Sequence, residues 1–120
     1  MIIAIDFDGT ICRGTYPNID GLMPYAKESI QALKIDDHYI IINTCRTGSK
    51  LLKAINWLLE QKIPFDRVND NHPGNVALYK SNSRKVYAHI YVDDKNVGGF
   101  PGWPEVMREI HIKGKGDVIK

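Results

Sequence analysis

Two pairs of carboxylates stand at the ends of apolar runs, Asp6 with Asp8 in "IIAIDFDGT" and Asp93 with Asp94 in "VYAHIYVDD". Two unit charges about 4 Å apart repel by about 4 kcal/mol at an effective dielectric of about 20, so acids gathered in one place need a cation among them. A hard divalent ion such as Mg²⁺ takes carboxylate, carbonyl and water oxygens, and is commonly held by one or two carboxylates together with a substrate phosphate. Thr44, in "NTCRTG", adds a hydroxyl at the end of another apolar run, and Lys85, just ahead of Val86, adds a positive charge. An acidic cluster with one hydroxyl and one lysine is the equipment needed for phosphoryl transfer through an aspartyl intermediate.

These residues meet only if the intervening elements bring strand ends to one edge. Met1 to Ile5 is a continuous apolar run rich in isoleucine, which suits a strand covered on both faces. Helical spacing from Ala26 through Ile30 to Leu33, with Pro24 where a first turn tolerates it, predicts an amphipathic helix. Tyr39 to Ile42 reads as a second strand, after which Gly48 turns the chain and Ser49 is expected to cap a helix. That helix carries Leu51, Ala54, Ile55, Leu58 and Leu59 as its apolar stripe and cannot pass Pro64. "FDRVND" is a short third strand, and "HPGNVALYKSN" a short helix or irregular turn. Alternation of Val86, Ala88, Ile90 and Val92 predicts a fourth strand, followed by a "GGFPGW" loop and a helix from Pro104 to Ile112. One domain over residues 1–113 is expected, with a Lys/Gly-rich tail at 114–120 that frays. Alternating strands and helices imply an α/β class: a mainly parallel sheet with right-handed crossovers and helices on both faces. In such sheets the ligand site lies beyond the carboxyl ends of the strands, where Asp6, Asp8, Thr44, Asp93 and Asp94 all fall.

The ordered set of "DFDGT" at Asp6–Thr10, Thr44, Lys85 and the "DD" of Asp93 and Asp94 resembles the haloacid dehalogenase superfamily of phosphohydrolases. The resemblance covers nearly the whole chain and implies that family's Rossmann-like three-layer α/β/α sandwich. It implies that Asp6 is the nucleophile, forming an aspartyl phosphate, and that Asp8 is the acid and base, protonating the leaving oxygen and later activating water. Thr44 would bind phosphoryl oxygens, and Lys85 would neutralise charge on the nucleophile and phosphoryl group. Mg²⁺ would be held by Asp6, the backbone carbonyl of Asp8 and one of the paired aspartates, Asp94 directly and Asp93 through water or Lys85. Phe7, Cys45 and Arg46 complete the expected phosphate-binding set, while Gly9 and Thr10 shape the turn. Many members carry a cap domain, for which this chain has no room. "GTICRGTYPNIDGLMP" suffices only for a short hairpin flap, so the chain resembles the capless members.

Several residues keep two readings. Lys80 competes with Lys85 for the motif lysine, and Arg46 either clamps phosphate or pairs with a surface acid. Cys45 beside Thr44 is either a reactive thiol or a small buried core residue. "NDNHPGN", Asn69 to Asn75, reads as a plain loop more than as a contact to the leaving group. His72 lies within it, and His38, His89 and His111 lack metal-ligand spacing and read as packing or surface residues. Tyr16 and Trp103 either wall the entrance or fill core edges.

Bulk properties restrain the partners. At 120 residues, 43% hydrophobic and 25% charged, the composition is that of an ordinary globular domain. A net charge of +2 with scattered basic residues calls for neither a membrane nor nucleic acid, and no basic aromatic groove is visible. No run approaches the roughly 20 apolar residues of a membrane span, so a cytoplasmic protein is expected. Cys12 and Cys45 lack metal-type spacing and are expected as reduced thiols. The expected partner is therefore a small phosphorylated substrate, with a homo-oligomer as one way to cover the open site. Two alternatives stand beside hydrolysis of a phosphate monoester: a metal- and phosphate-binding regulatory module without turnover, and an end phosphatase acting on nucleotides or nucleic acid.

Overall fold

The computed structural model describes the backbone of residues 1–119 and the side chains of residues 1–114. Four parallel strands form the sheet in the order β5-β4-β1-β6: β1 (Ile2–Ile5), β4 (Tyr39–Ile42), β5 (Arg67–Val68) and β6 (Ile90–Val92). All four residues of β1 are buried, as a central strand covered on both faces requires. From β1 the chain steps to β4 and then β5 in one direction, so right-handed crossovers set α1 (Ala26–Ile35) and α2 (Gly48–Glu60) on the same face. Ile3, Ile5, Ile40 and Ile42 meet Ile30, Leu33, Ala54 and Leu58 there, together with Val106 and Ile110 of α4 (Trp103–Ile119). From β5 the chain returns across the sheet to β6, which sends α3 (Pro73–Tyr79) to the opposite face. On that side Ile2, Ala4 and Ile41 are covered by Val86 and Ala88, and the Tyr39 ring packs against His72 at the start of α3 with centroids 4.4 Å apart. The result is a small Rossmann-like α/β/α domain.

The first face carries most of the packing energy. Full burial of an isoleucine or leucine contributes about 1.5–3 kcal/mol. Leu58, fully buried between α2 and the sheet, is a position where truncation to alanine costs roughly 2–5 kcal/mol. Among the described residues no cap domain interrupts this core. Between β1 and α1 the chain forms only a two-rung antiparallel hairpin, β2 (Cys12–Arg13) with β3 (Gly21–Leu22), whose residues 13–18 are exposed and form a flap.

Local details depart from the sequence pattern. The alternating run 86–92 pairs as a strand only over Ile90–Val92. Val86 and Ala88 lie extended across the back of the sheet, tied by the Tyr91 hydroxyl, which donates to the Val86 carbonyl at 2.6 Å and accepts from the Ala88 N–H at 3.2 Å. The α2 stripe uses Trp57, edge-on to Phe7 at 5.6 Å, while Leu59 is exposed. Thr47, not Ser49, occupies the α2 N-cap, with Gly48 at φ 57° making the turn. The 73–79 segment is helical because Pro73 suits a first turn and His72 Nδ1 accepts the Gly74 N–H at 2.9 Å. α4 continues to Ile119, past the expected fraying point, while the side chains after Gly114 and all of Lys120 lie outside the described residues. Among the described residues no helix is long and apolar enough to cross a membrane.

Candidate functional site

The carboxyl ends of β1, β4 and β6 open into a cleft of about 490 Å³, with Asp6, Asp8, Thr44, Cys45, Asp93 and Asp94 on its walls and Tyr16 at its rim. A groove of the same volume between Ile19 and the Leu52–Trp57 side of α2 holds no acidic cluster. Parallel pairing of β1 with β6 brings the two acid pairs together, because Ile5 and Val92 are register partners and the Asp6 N–H donates to the Val92 carbonyl at 2.8 Å. One carboxylate oxygen from each of Asp6, Asp93 and Asp94 lies within 4.8 Å of the others.

This trio is electrostatically frustrated. Burial pushes the Asp6 carboxyl up to about 8, and its hydrogen bond with Asp94 and the charges of Asp93 and Asp94 push the same way, against the opposing backbone N–H of Phe7. Asp94 Oδ1 is buried with no hydrogen-bond partner. An acceptor in that position, beside two more acids, is a group that a cation would satisfy. Gly9 makes the approach possible. It adopts φ 76°, and a Cβ built on it would lie 2.9 Å from Asp94 Cγ, so only glycine lets the "DGT" turn pass beneath the acid. Oxygen-only donors of this kind suit a hard divalent ion, and no histidine joins the cluster.

Asp8 stands apart from the trio. Both its oxygens accept from Arg46, Oδ2 from Nε at 2.9 Å and Oδ1 from the second guanidinium nitrogen at 2.7 Å. The Arg46 side chain is fully buried, and the paired carboxylate holds the guanidinium charged by raising its already high pKa further. Of the two readings of Arg46 the structure therefore selects the acid partner, and that partner is the motif acid itself. Phe7 likewise turns its ring away from the cleft into the core, beneath the guanidinium at 5.1 Å.

Thr44 lines the cleft and is fixed from two directions. Its N–H donates to Asn69 Oδ1 at 2.7 Å, and its hydroxyl oxygen accepts the Arg46 N–H at 3.1 Å, which leaves the hydroxyl hydrogen free to point outward. Asn69, at φ 52°, thereby gives the 69–75 loop a positioning role. Cys45 is exposed in the cleft wall and not a core residue, whereas Cys12 is the buried thiol. Trp103 is a core anchor, its indole N–H donating to the Thr10 carbonyl at 2.8 Å.

The lysine expectation is corrected. Lys85 is exposed and sits over the Tyr91 ring at 5.2 Å, outside the cleft walls, and Lys80 caps α3. The paired strand begins only at Ile90, too late to carry Lys85 to the acids, and the residues before it cover the back of the sheet. Lys95 takes that place, its Nζ 3.7 Å from Asp94 Oδ2, and Asn43 also faces the cleft. The signal for Lys95 was its adjacency to the acid pair in "DDKN".

The chain superimposes with a TM-score of 0.84 on the solved structure of a conserved protein coded by a locus of Bacteroides thetaiotaomicron, at 36% identity over 94% of this chain and 91% of that one. The chain belongs to the same family as that protein. No family model and no curated protein matches it. Membership establishes the architecture.

Proposed function

We propose that the protein is a Mg²⁺-dependent phosphohydrolase of the haloacid dehalogenase type, hydrolysing a small phosphate monoester through an aspartyl phosphate on Asp6. The observation that carries this reading is the Asp6, Asp93 and Asp94 trio, whose oxygens lie within 4.8 Å and whose central member is pushed up to about 8. Three acids in that proximity are a poor resting arrangement and a good socket for a divalent cation. Asp6, the Asp8 backbone carbonyl and the Asp93–Asp94 pair would hold Mg²⁺, which when bound supplies positive charge against the incoming phosphate.

The side chains then divide the work. Asp6 attacks phosphorus, and the bond to the leaving oxygen breaks as Asp8 gives that oxygen a proton. In the second half Asp8 takes a proton from water, the water oxygen bonds to phosphorus, and the Asp6–phosphorus bond breaks to release phosphate. The free hydrogen of Thr44 is available to a phosphoryl oxygen, and Lys95 adds mobile positive charge at the rim. Because the cleft is roofed only by a short flap, exposed phosphate esters have direct access.

Purified protein with Mg²⁺ is expected to hydrolyse an aryl phosphate, with Asp6→Asn folded and inactive and with chelator abolishing the rate. Turnover by Asp6→Asn equal to that of the unaltered protein would reject the nucleophile assignment. Absence of turnover on aryl, sugar and nucleotide phosphates alike would reject the enzymatic reading.

A further inference from the structure

The guanidinium of Arg46 bonds to more than Asp8. Its second terminal nitrogen also donates to the carbonyl of Pro17 at 3.0 Å, and its first donates to the carbonyl of Lys50 in the opening turn of α2 at 3.2 Å. The group lies between two aromatic rings, the core ring of Phe7 and the flap ring of Tyr16, each 5.1 Å away. Its own backbone N–H is held by the Thr44 hydroxyl. A single buried cation thus joins the turn that follows β4, the start of α2, the acid Asp8 and the exposed tip of the flap.

Such an arrangement has two properties that a surface ion pair lacks. A planar fork bound to both oxygens of a carboxylate fixes the carboxylate's plane as well as its position. And because the same nitrogen bonds Asp8 and Pro17, displacing the flap tip removes one of its acceptors and one of its two covering rings, admitting water to a pair otherwise shielded from it. We propose that Arg46 is a positioning residue that yokes the flap to Asp8, so that Asp8 is held in its working orientation only while Tyr16 and Pro17 stay against the guanidinium. The catalytic part of this inference rests on the phosphohydrolase reading; the mechanical part, the yoke itself, does not.

The test has one arm for each part. In the kinetic arm, Arg46→Ala is expected to lower kcat on an aryl phosphate by about 10²-fold or more with KM changed by no more than about threefold, as befits loss of a positioned acid and base. Methylguanidinium added to Arg46→Ala should restore rate saturably, and Arg46→Lys should recover only part, since an ammonium cannot grip both oxygens. Tyr16→Ala should also lower kcat, yet add nothing further in an Asp8→Asn background, because the flap then has no acid to hold. In the mechanical arm, hydrogen exchange of the Asp20 amide, which donates to the Arg13 carbonyl across the flap, is read with no substrate present. Exchange there should quicken in Asp8→Asn as it does in Arg46→Ala, and by a larger factor than at the β1 amides, whose change reports only the global loss of stability. Full activity in folded Arg46→Ala, additive losses in the Tyr16→Ala and Asp8→Asn pair, or flap exchange indifferent to Asp8 would overturn the proposal. If the unaltered protein turns over no phosphate ester, the phosphohydrolase reading fails and the exchange arm alone decides the yoke.

Discussion

Asp8 and Arg46 form a two-pronged ion pair that is asymmetric in its access to water. The arginine side chain is wholly buried, while 28% of the Asp8 side chain is exposed to the cleft. Removing the acid strands the buried cation, and an uncompensated buried charge is among the most costly defects in a fold. Asp8→Ala is therefore expected to lose roughly 3 kcal/mol or more of unfolding free energy by urea titration. Lost activity in that variant must be read against its stability, whereas Asp6→Asn replaces a carboxyl that already holds its proton up to about 8 and should leave the metal-free fold about as stable as before at neutral pH.

Gly9→Ala combines a left-handed backbone with a steric conflict against Asp94. Destabilisation above about 1 kcal/mol is expected from the backbone alone. Displacement of Asp94 adds a functional loss, so isothermal titration should find Mg²⁺ affinity reduced. A variant with unchanged stability and metal binding would count against the close approach of turn and acid.

The raised Asp6 pKa gives the metal-free protein a definite pH dependence. Folded Asp6 holds its proton up to about 8, while the unfolded chain releases it near 3.8. Between those values the native state binds more protons, so its contribution to stability is complete below pH 3.8 and is lost as pH rises through 8. Urea midpoints in chelator should fall across this window, Asp6→Asn should flatten the fall, and millimolar Mg²⁺ should offset it by binding the native state alone. Midpoints that rise from pH 5 to 8 in chelator would contradict the frustrated cluster.

Lys95, and not the expected Lys85, stands beside the acids. Lys95→Ala is expected to lower kcat/KM by roughly threefold to tenfold with a weaker salt dependence, as loss of one exposed charge at the rim would produce. Lys85→Ala should stay within about twofold of the unaltered protein, since Lys85 lies over Tyr91 and outside the cleft. Steady-state rates at two ionic strengths distinguish them.

The two thiols should label unequally. Burial, reinforced by the charge of Asp8, pushes Cys12 up to about 12, whereas Cys45 stands exposed in the cleft wall. One equivalent of an aromatic disulfide reagent should react at pH 8, at Cys45, and vanadate seated in the cleft should slow that reaction. Two equivalents reacting at the same rate would mean that the core around Cys12 opens readily.

Much of this architecture could be read from residue order, and what could not has physical reasons. The run Ile2–Ile5 and the Ala54–Leu58 spacing announce their elements because burial on a central strand or a helix face leaves a strong periodic mark. The same mark misleads at Val86–Val92. Alternation reports only that every second side chain is covered, and an extended segment lying across a sheet satisfies that without a neighbouring strand to pair with. Lys85 was misplaced for the same reason, because its reach depended on where the strand began. Arg46 was visible as a cation beside Thr44, yet its partner lies 38 residues earlier, a distance at which sequence carries no geometry.

β1 sits between β4 and β6, and the hydrogen bond from Ile2 to His89 closes a loop of 87 residues. During synthesis β1 can pair with β4 once Ile42 has been made, while its other edge waits for β6. Synthesis can be complete to Ile42 with half a sheet and only Asp6 of the acidic trio, so a nascent fragment lacks the assembled site while it is still sticky. Any product that ends before β6 would display a bare isoleucine edge, open to pairing with another chain.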